Sequence, residues 1–343
     1  MVVQGAPTPL LERAYGAVQH RLFRKKCYFE LRHAVTRHYA RQIQDRLRAE
    51  RYDAVFAPGT IYLAALKSDV PAFATADACL GGLVDYYPEF TNLTRRDLLQ
   101  GFEIERGGVR ACRRIFYTSE WARQSAMDTA GARPEVAVTV PFGANLLEVP
   151  DETEVRSLVE RRPDGPVKLL FVGVDWHRKG GGIALDAAQR INAQGVDAEL
   201  HIVGGSVPRD VAEAPCVRHH GFLRKSDPEH LAKLIELYST SHFLILPTRA
   251  ECCAVVLAEA CSYGLPILAT RTGGVETAVV SGVSGYTFEY HECAGRYANK
   301  AMELAEDRVA YRDLCMSAWK LSHELLNWDV CADTWKREML AVS

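Results

Sequence analysis

Short apolar runs alternate with longer amphipathic segments along most of this chain. The runs have the length of buried strands, and the segments between them carry apolar residues at helical spacing. This alternation predicts parallel sheets with helices on their faces, which is an α/β fold class. The predicted strands are residues 54–57, 72–75, 114–118, 168–172, 198–203, 217–219, 242–246 and 266–270.

Helical patterns fill the remaining segments. Residues 8 to about 50 are predicted to be helical, with an apolar stripe that repeats every four residues from Leu31 to Leu47. In the second half, helices are predicted at 182–194, 228–237 and 253–263. A chain of 343 residues is long enough for two domains. We predict an N-terminal domain over 1–148, a second domain over 149–325 and a last helix over 326–343, with a linker at 146–165.

Composition excludes several classes of function. A net charge of −2 argues against a general nucleic-acid binder. The ten cysteines are scattered, so neither a zinc site nor a disulfide framework is predicted, and buried thiols of this kind indicate a cytoplasmic protein. No apolar run has the length of a membrane span. No Asp-x-Asp motif is present to coordinate a metal ion.

The first fifty residues are rich in basic side chains. One interpretation is a surface that touches anionic lipid headgroups, giving a peripheral membrane contact through the N-terminal helix. The other interpretation is a solvated outer helix face. The basic residues concerned are Arg21, Arg24, Lys25, Lys26, Arg32, Arg37, Arg41, Arg46, Arg48 and Arg51.

Two glutamates mark residues 241–288 as a candidate site. On one helix, Glu251 and Glu259 would differ by about 80° beyond two turns and by about 12 Å of rise, so they would not share a face. If Glu251 lies in the loop before the helix, both acids border one cleft with free backbone N–H groups between them, and such groups bind anions. The alternative is a first-turn Glu251 stabilised by the helix dipole and a Glu259 paired at a domain interface. The N–H groups concerned belong to Cys252, Cys253, Ala254 and Val255.

A second candidate loop follows the strand at 168–172. After Gly173, the cations Arg178 and Lys179 stand directly before a glycine-started helix. Lysine, arginine and backbone N–H groups are the usual ligands of a diphosphate. The G-x-G-x-x-G spacing is absent, so a dinucleotide cofactor is not predicted.

Four motifs in this order resemble the donor half of retaining GT-B glycosyltransferases of family 4. The motifs are FVGVDWHRKGG (171–181), ELHIVGG (199–205), HGFL (220–223) and the E-x7-E pair followed by Gly264-Leu265-Pro266. The resemblance covers roughly residues 115–340. It implies two Rossmann-like domains facing across a cleft, with the last helix crossing back to the first domain.

The resemblance also implies roles for single residues. Lys179 contacts the leaving diphosphate, Glu251 the transferred hexose and Glu259 the ribose hydroxyls. The segment with Phe222 and Leu223 brackets the nucleobase; without the family context it reads equally well as an ordinary turn. Gly173, Arg178 and residues 252–255 complete the implied donor site.

This chain departs from the family pattern at several places. Val174 stands where many relatives have an arginine, so Arg178 is the substitute candidate, and Ala254 replaces a glycine beside the sugar. Asp77 stands where many relatives have a histidine facing the reacting sugar; a helix N-cap is the structural alternative. The expected first strand and glycine loop are missing before Leu10, from which we predict an N-terminally truncated chain.

The implied activity is metal-independent, retaining transfer of a hexose without a cofactor. The donor is expected to be a UDP- or GDP-hexose, and the acceptor a glycan, a lipid-linked molecule or a small molecule. Two alternatives stay open: a truncated relative that binds a sugar nucleotide without catalysis, and a GT-B sugar-nucleotide epimerase.

Overall fold

The computed structural model describes residue 5 and residues 8–163, 165–290 and 294–342. They form two compact units, Met1–Val140 with Ala332–Ser343, and Pro141–Cys331. Each unit contains a parallel sheet with helices, so the predicted α/β class is confirmed. The domain boundary that we predicted at residue 148 falls inside the second unit.

The first unit is built on four parallel strands that pair in chain order. They are β1 (Val55–Ala57), β2 (Ala72–Ala76), β3 (Arg114–Tyr117) and β4 (Ala137–Thr139). Its helices are α1 (Leu10–Phe23), α2 (His33–Ala49), α3 (Leu80–Leu83), α4 (Arg95–Ala111) and α5 (Glu120–Ala130), with 3₁₀ turns at Thr60–Tyr62 and Pro88–Phe90. The sequence did not predict β4, a strand of three residues.

The prediction of one helix over residues 8–50 is wrong. Arg24 ends α1 in a left-handed conformation with φ of 51°, and Lys26 then pairs in an isolated bridge with Leu93. Because a non-glycine residue in this region cannot continue a right-handed helix, the chain breaks before α2. In α2 the predicted stripe does face inward, with Tyr39 and Ile43 buried.

The second unit holds six parallel strands in the order β10-β9-β8-β5-β6-β7. The strands are β5 (Val167–Gly173), β6 (Ala198–Gly204), β7 (Val217–His219), β8 (Phe243–Leu246), β9 (Ile267–Thr270) and β10 (Gly285–Phe288). The helices are α6 (Glu152–Glu160), α7 (Gly181–Ala193), α8 (Arg209–Ala212), α9 (Pro228–Thr240), α10 (Val255–Ser262), α11 (Val275–Ala278), α12 (Ala294–Glu306) and α13 (Arg308–Glu324). The strand order reverses between β5 and β8, and open α/β sheets bind their ligands at this switch point.

The prediction of a linker over 146–165 is wrong, because this segment contains the helix α6. Asp151 and Glu154 form a capping box at the start of α6. Val155 of this helix is fully buried in the core of the second unit. The charged residues that suggested a linker form the capped end and the outer face of α6, and its apolar side packs inward.

A buried arginine fixes the far end of α10. Arg162 is 4% exposed, and its Nη2 donates to the carbonyl oxygen of Tyr263 at 2.8 Å. Its Nη1 donates to the hydroxyl of Tyr311 at 2.9 Å and contacts the sulfur of Cys315 at 3.1 Å. The last turn of α10 is therefore tied to α13 by a charged donor.

The final helix, α14 (Trp328–Leu340), contributes to both units. Within the second unit, Trp328 stacks on Phe142 with ring centroids 5.0 Å apart. Within the first unit, Trp335 packs on Phe56 at 5.1 Å, and Glu338 pairs with Arg114 at 3.4 Å. Within the described residues, no helix is long and apolar enough to cross a membrane.

Candidate donor site

The loops after β5 and β8 meet at the switch point of the second unit. Gly180, the N-cap of α7, has φ of +78°, and a Cβ there would overlap the carbonyl oxygen of Pro247. The backbone N–H of Arg249 donates to the carbonyl of Arg178 at 2.8 Å. Only glycine combines this φ with so close an approach, so Gly180 lets the two loops lie against each other.

This loop contact places Lys179 against Glu251. The lysine ammonium donates to Oε2 of the glutamate, and Glu251 is 6% exposed. Nη1 of Arg178 lies 3.7 Å from the same oxygen and donates to the carbonyl of Ala250 at 2.8 Å. The sequence predicted that these three residues share a site, and the structure places them together.

The helix after Glu251 starts later than predicted. α10 begins at Val255, with Ala254 as an N-cap that makes no side-chain cap bond. Cys252 and Cys253 therefore lie in the loop before the helix and outside its first turn. The backbone N–H of Gly274 donates to the carbonyl of Glu251 at 2.9 Å, which holds this loop against the segment after β9.

Glu259 is the second buried carboxylate of the site, with 2% exposure. Its Oε1 accepts from the ammonium of Lys225, and its Oε2 accepts from the hydroxyl of Tyr238 at 2.8 Å. Burial raises the pKa of Tyr238 well above its ordinary value, and the charge of Glu259 raises it further. The tyrosine therefore stays protonated and acts as a donor to the carboxylate.

A cavity of about 480 Å³ opens beside Glu259 at the carboxyl ends of β5 and β6. Of the predicted donor residues, it is lined by Gly173, Phe222, Leu223, Val255 and Glu259. Lys179 and Glu251 are not in this lining as far as the described residues show. They lie next to it, because a Cβ built on Gly173 would be 2.9 Å from Cγ of Lys179.

Two residues of the HGFL segment, Phe222 and Leu223, line this cavity. Phe222 is 58% exposed at the cavity, so its ring is available to a ligand. In the same segment, Nε2 of His220 lies 3.1 Å from Nδ1 of His201. Burial lowers the pKa of His220 to about 4, so this histidine is neutral near pH 7.

Sequence reasoning missed Lys225, Tyr238 and Asn145. Lys225 and Asn145 line the cavity, and Tyr238 is fully buried beneath Glu259. Lys225 stands four residues after Gly221 in a loop, a position with no periodic pattern, and Tyr238 sits among the ordinary apolar positions of α9. The only available signal was the charge of Glu259 on an apolar helix, which requires a buried partner somewhere.

Asp77 lies in the other unit, directly after β2, and its side chain is exposed. The N-cap of the following helix is Cys79, so the N-cap alternative for Asp77 is wrong. In the same unit, Glu105 accepts from the hydroxyl of Thr60 at 2.6 Å and from the N–H of Leu80 at 3.1 Å. Across the described residues, no cluster of three His, Cys, Asp or Glu side chains is arranged to hold a metal ion.

The second unit is similar in sequence to known proteins. Residues 166–307 match the family model of glycosyl transferases group 1. A D-inositol 3-phosphate glycosyltransferase of Geodermatophilus obscurus is 32% identical over 192 residues, which are 52% of this chain and 42% of the relative. A glycogen synthase of Mycobacterium tuberculosis is 25% identical over 242 residues, 67% of this chain and 58% of the relative. The chain spans about half the length of the curated relatives it matches.

Solved structures match over most of the chain. A sucrose-phosphate synthase from Thermosynechococcus elongatus has a TM-score of 0.67 at 18% identity, covering 90% of this chain and 79% of the other. Anabaena Alr3699/HepE in complex with UDP and glucose has a TM-score of 0.64 at 17% identity, covering 89% and 82%. These likenesses confirm the predicted GT-B fold class.

Proposed function

We propose that this chain is a retaining glycosyltransferase that transfers a hexose from a nucleotide-diphosphate sugar to a glycan, lipid-linked or small-molecule acceptor. The observation that carries this proposal is the Lys179–Glu251 ion pair at the switch point, beside a cavity that contains Glu259. In this proposal, Glu251 faces the hexose, Lys179 and the N-terminus of α10 face the diphosphate, and Glu259 faces the ribose, which is the order of the three groups along a nucleotide sugar.

In the proposed reaction, the bond between the sugar C1 and the diphosphate oxygen breaks toward an oxocarbenium-like state. The acceptor hydroxyl forms the new bond on the same face, and its proton passes to the departing diphosphate oxygen. Lys179 and the first N–H groups of α10 stabilise the charge on that oxygen. Glu251, released from Lys179, accepts hydrogen bonds from the hexose, and Arg178 holds the loop through Ala250.

The donor is proposed to be UDP-glucose or a similar UDP- or GDP-hexose. Glu259 would accept from the ribose hydroxyls and Phe222 would pack on the base. UDP is the first choice because the similar Anabaena protein was solved with UDP and with UDP-glucose. Asp77, at the carboxyl end of a parallel strand, is proposed to contact the acceptor or the transferred sugar.

A direct assay separates this function from its alternatives. Purified protein is incubated with UDP-glucose, GDP-mannose or UDP-N-acetylglucosamine, and nucleoside diphosphate release is followed with and without acceptor glycans. We expect acceptor-dependent release that EDTA leaves unchanged, and a product with the anomeric configuration of the donor by NMR. Binding without release would favour the non-catalytic alternative. Isomerised donor sugar would favour the epimerase.

A peripheral membrane contact is part of the proposal, and α1 supports it. Glu12 on this helix pairs with Arg32 and Arg96 of the unit, whereas Leu10, Leu11 and Leu22 are 68% to 85% exposed. An amphipathic helix with exposed leucines and nearby arginines suits an anionic lipid surface. The exposed arginines of α1 and its C-cap are Arg13, Arg21 and Arg24.

Replacing Leu11 and Leu22 together by serine is expected to weaken vesicle binding about tenfold, because each leucine loses apolar burial in the bilayer interface. The measurement is co-sedimentation with vesicles of phosphatidylcholine and phosphatidylglycerol. The matched control replaces two exposed leucines that are not part of α1, Leu99 and Leu147, and should bind as the parent does. Equal binding by both double variants would contradict a role for α1.

A further inference from the structure

A second cavity lies in the first unit and is separate from the donor pocket. Its volume is about 610 Å³, within the range of small-molecule sites. Residues from α1, α2 and α4 line it, together with the turn between α1 and α2. The charged residues in the lining are Glu12, Glu30, Arg32, Arg37, Arg41 and Arg96, so positive charge is in excess.

One wall of this cavity holds a buried arginine with an unused donor. Arg32 is 5% exposed; its Nε donates to Glu12 at 3.1 Å, and its Nη1 pairs with Asp97. Burial would lower the pKa of Arg32, but the bonds to Asp97 and Glu12 raise it above the ordinary value, so the group is charged. Its Nη2 is buried without a hydrogen-bond partner among the described atoms, and so is Nε2 of His38 in the same lining.

A buried N–H group without an acceptor costs folding free energy, and Nη2 of Arg32 is such a group. The two carboxylates take Nε and Nη1, and no described protein atom takes Nη2. Because a guanidinium presents its donors in a fixed fork, the remaining N–H groups of Nη2 require an acceptor at a defined place. Arg32 is one of the residues that line the cavity.

The helix α2 adds further features that favour an anion. His33, Arg37 and Arg41 are spaced four residues apart and form one stripe that lines the cavity, in which His33 pairs with Glu103 at 3.1 Å. Arg37 and Arg41 are exposed, and neither forms an ion pair with a described residue. Arg32 is the N-cap of α2, and its side chain makes no cap bond to the helix.

We propose that this cavity binds a phosphate group, with Nη2 of Arg32 as the buried donor and Arg37 and Arg41 as the exposed cations. Phosphate oxygens match the fork of a guanidinium, and a phosphate carries enough charge to engage both exposed arginines. The group belongs either to a phospholipid head or to a soluble phosphorylated molecule. The site lies in a different unit from the donor pocket, and its test does not depend on glycosyl transfer.

The experiment uses the full chain with UDP in excess, so that any phosphate site in the donor pocket is occupied. Binding of sn-glycerol 3-phosphate is measured by calorimetry, with glycerol as the neutral control probe. Binding to phosphatidylcholine vesicles with and without phosphatidic acid is measured by co-sedimentation. The test variant is the double replacement Arg37→Gln and Arg41→Gln, and the control is Arg48→Gln with Arg51→Gln, which removes the same charge outside the cavity.

We expect the parent and the control to bind at least one phosphate probe, and the Arg37/Arg41 variant to bind it about tenfold more weakly. Binding to sn-glycerol 3-phosphate identifies a soluble ligand, and binding only to phosphatidic acid vesicles identifies a lipid head. If both double variants lost the same amount of phosphate binding, general surface charge would explain the effect, and the proposed site would be wrong. Failure of the parent to bind either probe would overturn it as well.

Discussion

Replacing Lys179 with alanine is expected to lower kcat of glycosyl transfer by about 100-fold, the usual cost of losing one preorganised charge stabiliser. Negative charge develops on the diphosphate oxygen as the sugar leaves, and Lys179 is the cation that the loops after β5 and β8 hold at this place. The donor KM should change much less than kcat, because the largest charge is present only in the transition state. The measurement is steady-state kinetics with UDP-glucose.

The control for this prediction removes a lysine of the same unit that lies outside the site. Lys233 on α9 pairs with Glu236 at 2.8 Å on the surface, and Lys233→Ala should keep the parent kcat. Thermal unfolding of both variants must show a folded protein. Arg178 lies 3.7 Å from Glu251, so we expect the buried carboxylate to keep one cation nearby in the Lys179 variant. A folded Lys179→Ala enzyme with unchanged kcat would remove Lys179 from the leaving-group site.

Replacing Glu259 with glutamine is expected to raise the Kd for UDP about tenfold, because hydrogen bonds to a charged acceptor are stronger than those to an amide. Glutamine keeps the shape of the side chain and still accepts from Tyr238, so the pocket wall is preserved. The variant should also lose part of its preference for UDP over 2′-deoxy-UDP. Both constants are measured by calorimetry.

The deoxynucleotide separates a ribose contact from a general loss of structure. Glu236→Gln serves as the matched control, since Glu236 is on α9 and pairs with Lys233 at the surface. It should leave both affinities unchanged. If Glu259→Gln weakens the binding of UDP and of 2′-deoxy-UDP by the same factor, then Glu259 does not bind the ribose hydroxyls and its assigned role is wrong.

The sequence carried enough information to bring Lys179 and Glu251 together. Each follows a buried apolar strand, and the carboxyl ends of parallel strands share one edge of a sheet. The strand order then places β5 beside β8. Local sequence patterns were therefore enough to predict that Arg178, Lys179 and the loop residue Glu251 belong to one site.

Other features depended on contacts that no local pattern encodes. Lys225 and Tyr238 reach Glu259 from 34 and 21 residues away, and their own neighbourhoods gave no hint of a shared partner. The short strands β4 and β10 were also not predicted from the sequence. The start of α10 was placed too early because Cys252 and Cys253 continue the apolar run without a capping residue to mark the boundary.

The hydrogen bond from Arg162 to the carbonyl oxygen of Tyr263 limits which parts of this pocket can change during evolution. With its end fastened to α13, the helix that presents Glu259 has little freedom to shift toward a larger or smaller base. The segment from Phe222 to Lys225 is mostly exposed and faces the same space. Substitutions that change the nucleotide preference should therefore accumulate in the segment from Phe222 to Lys225, while α10 keeps its position.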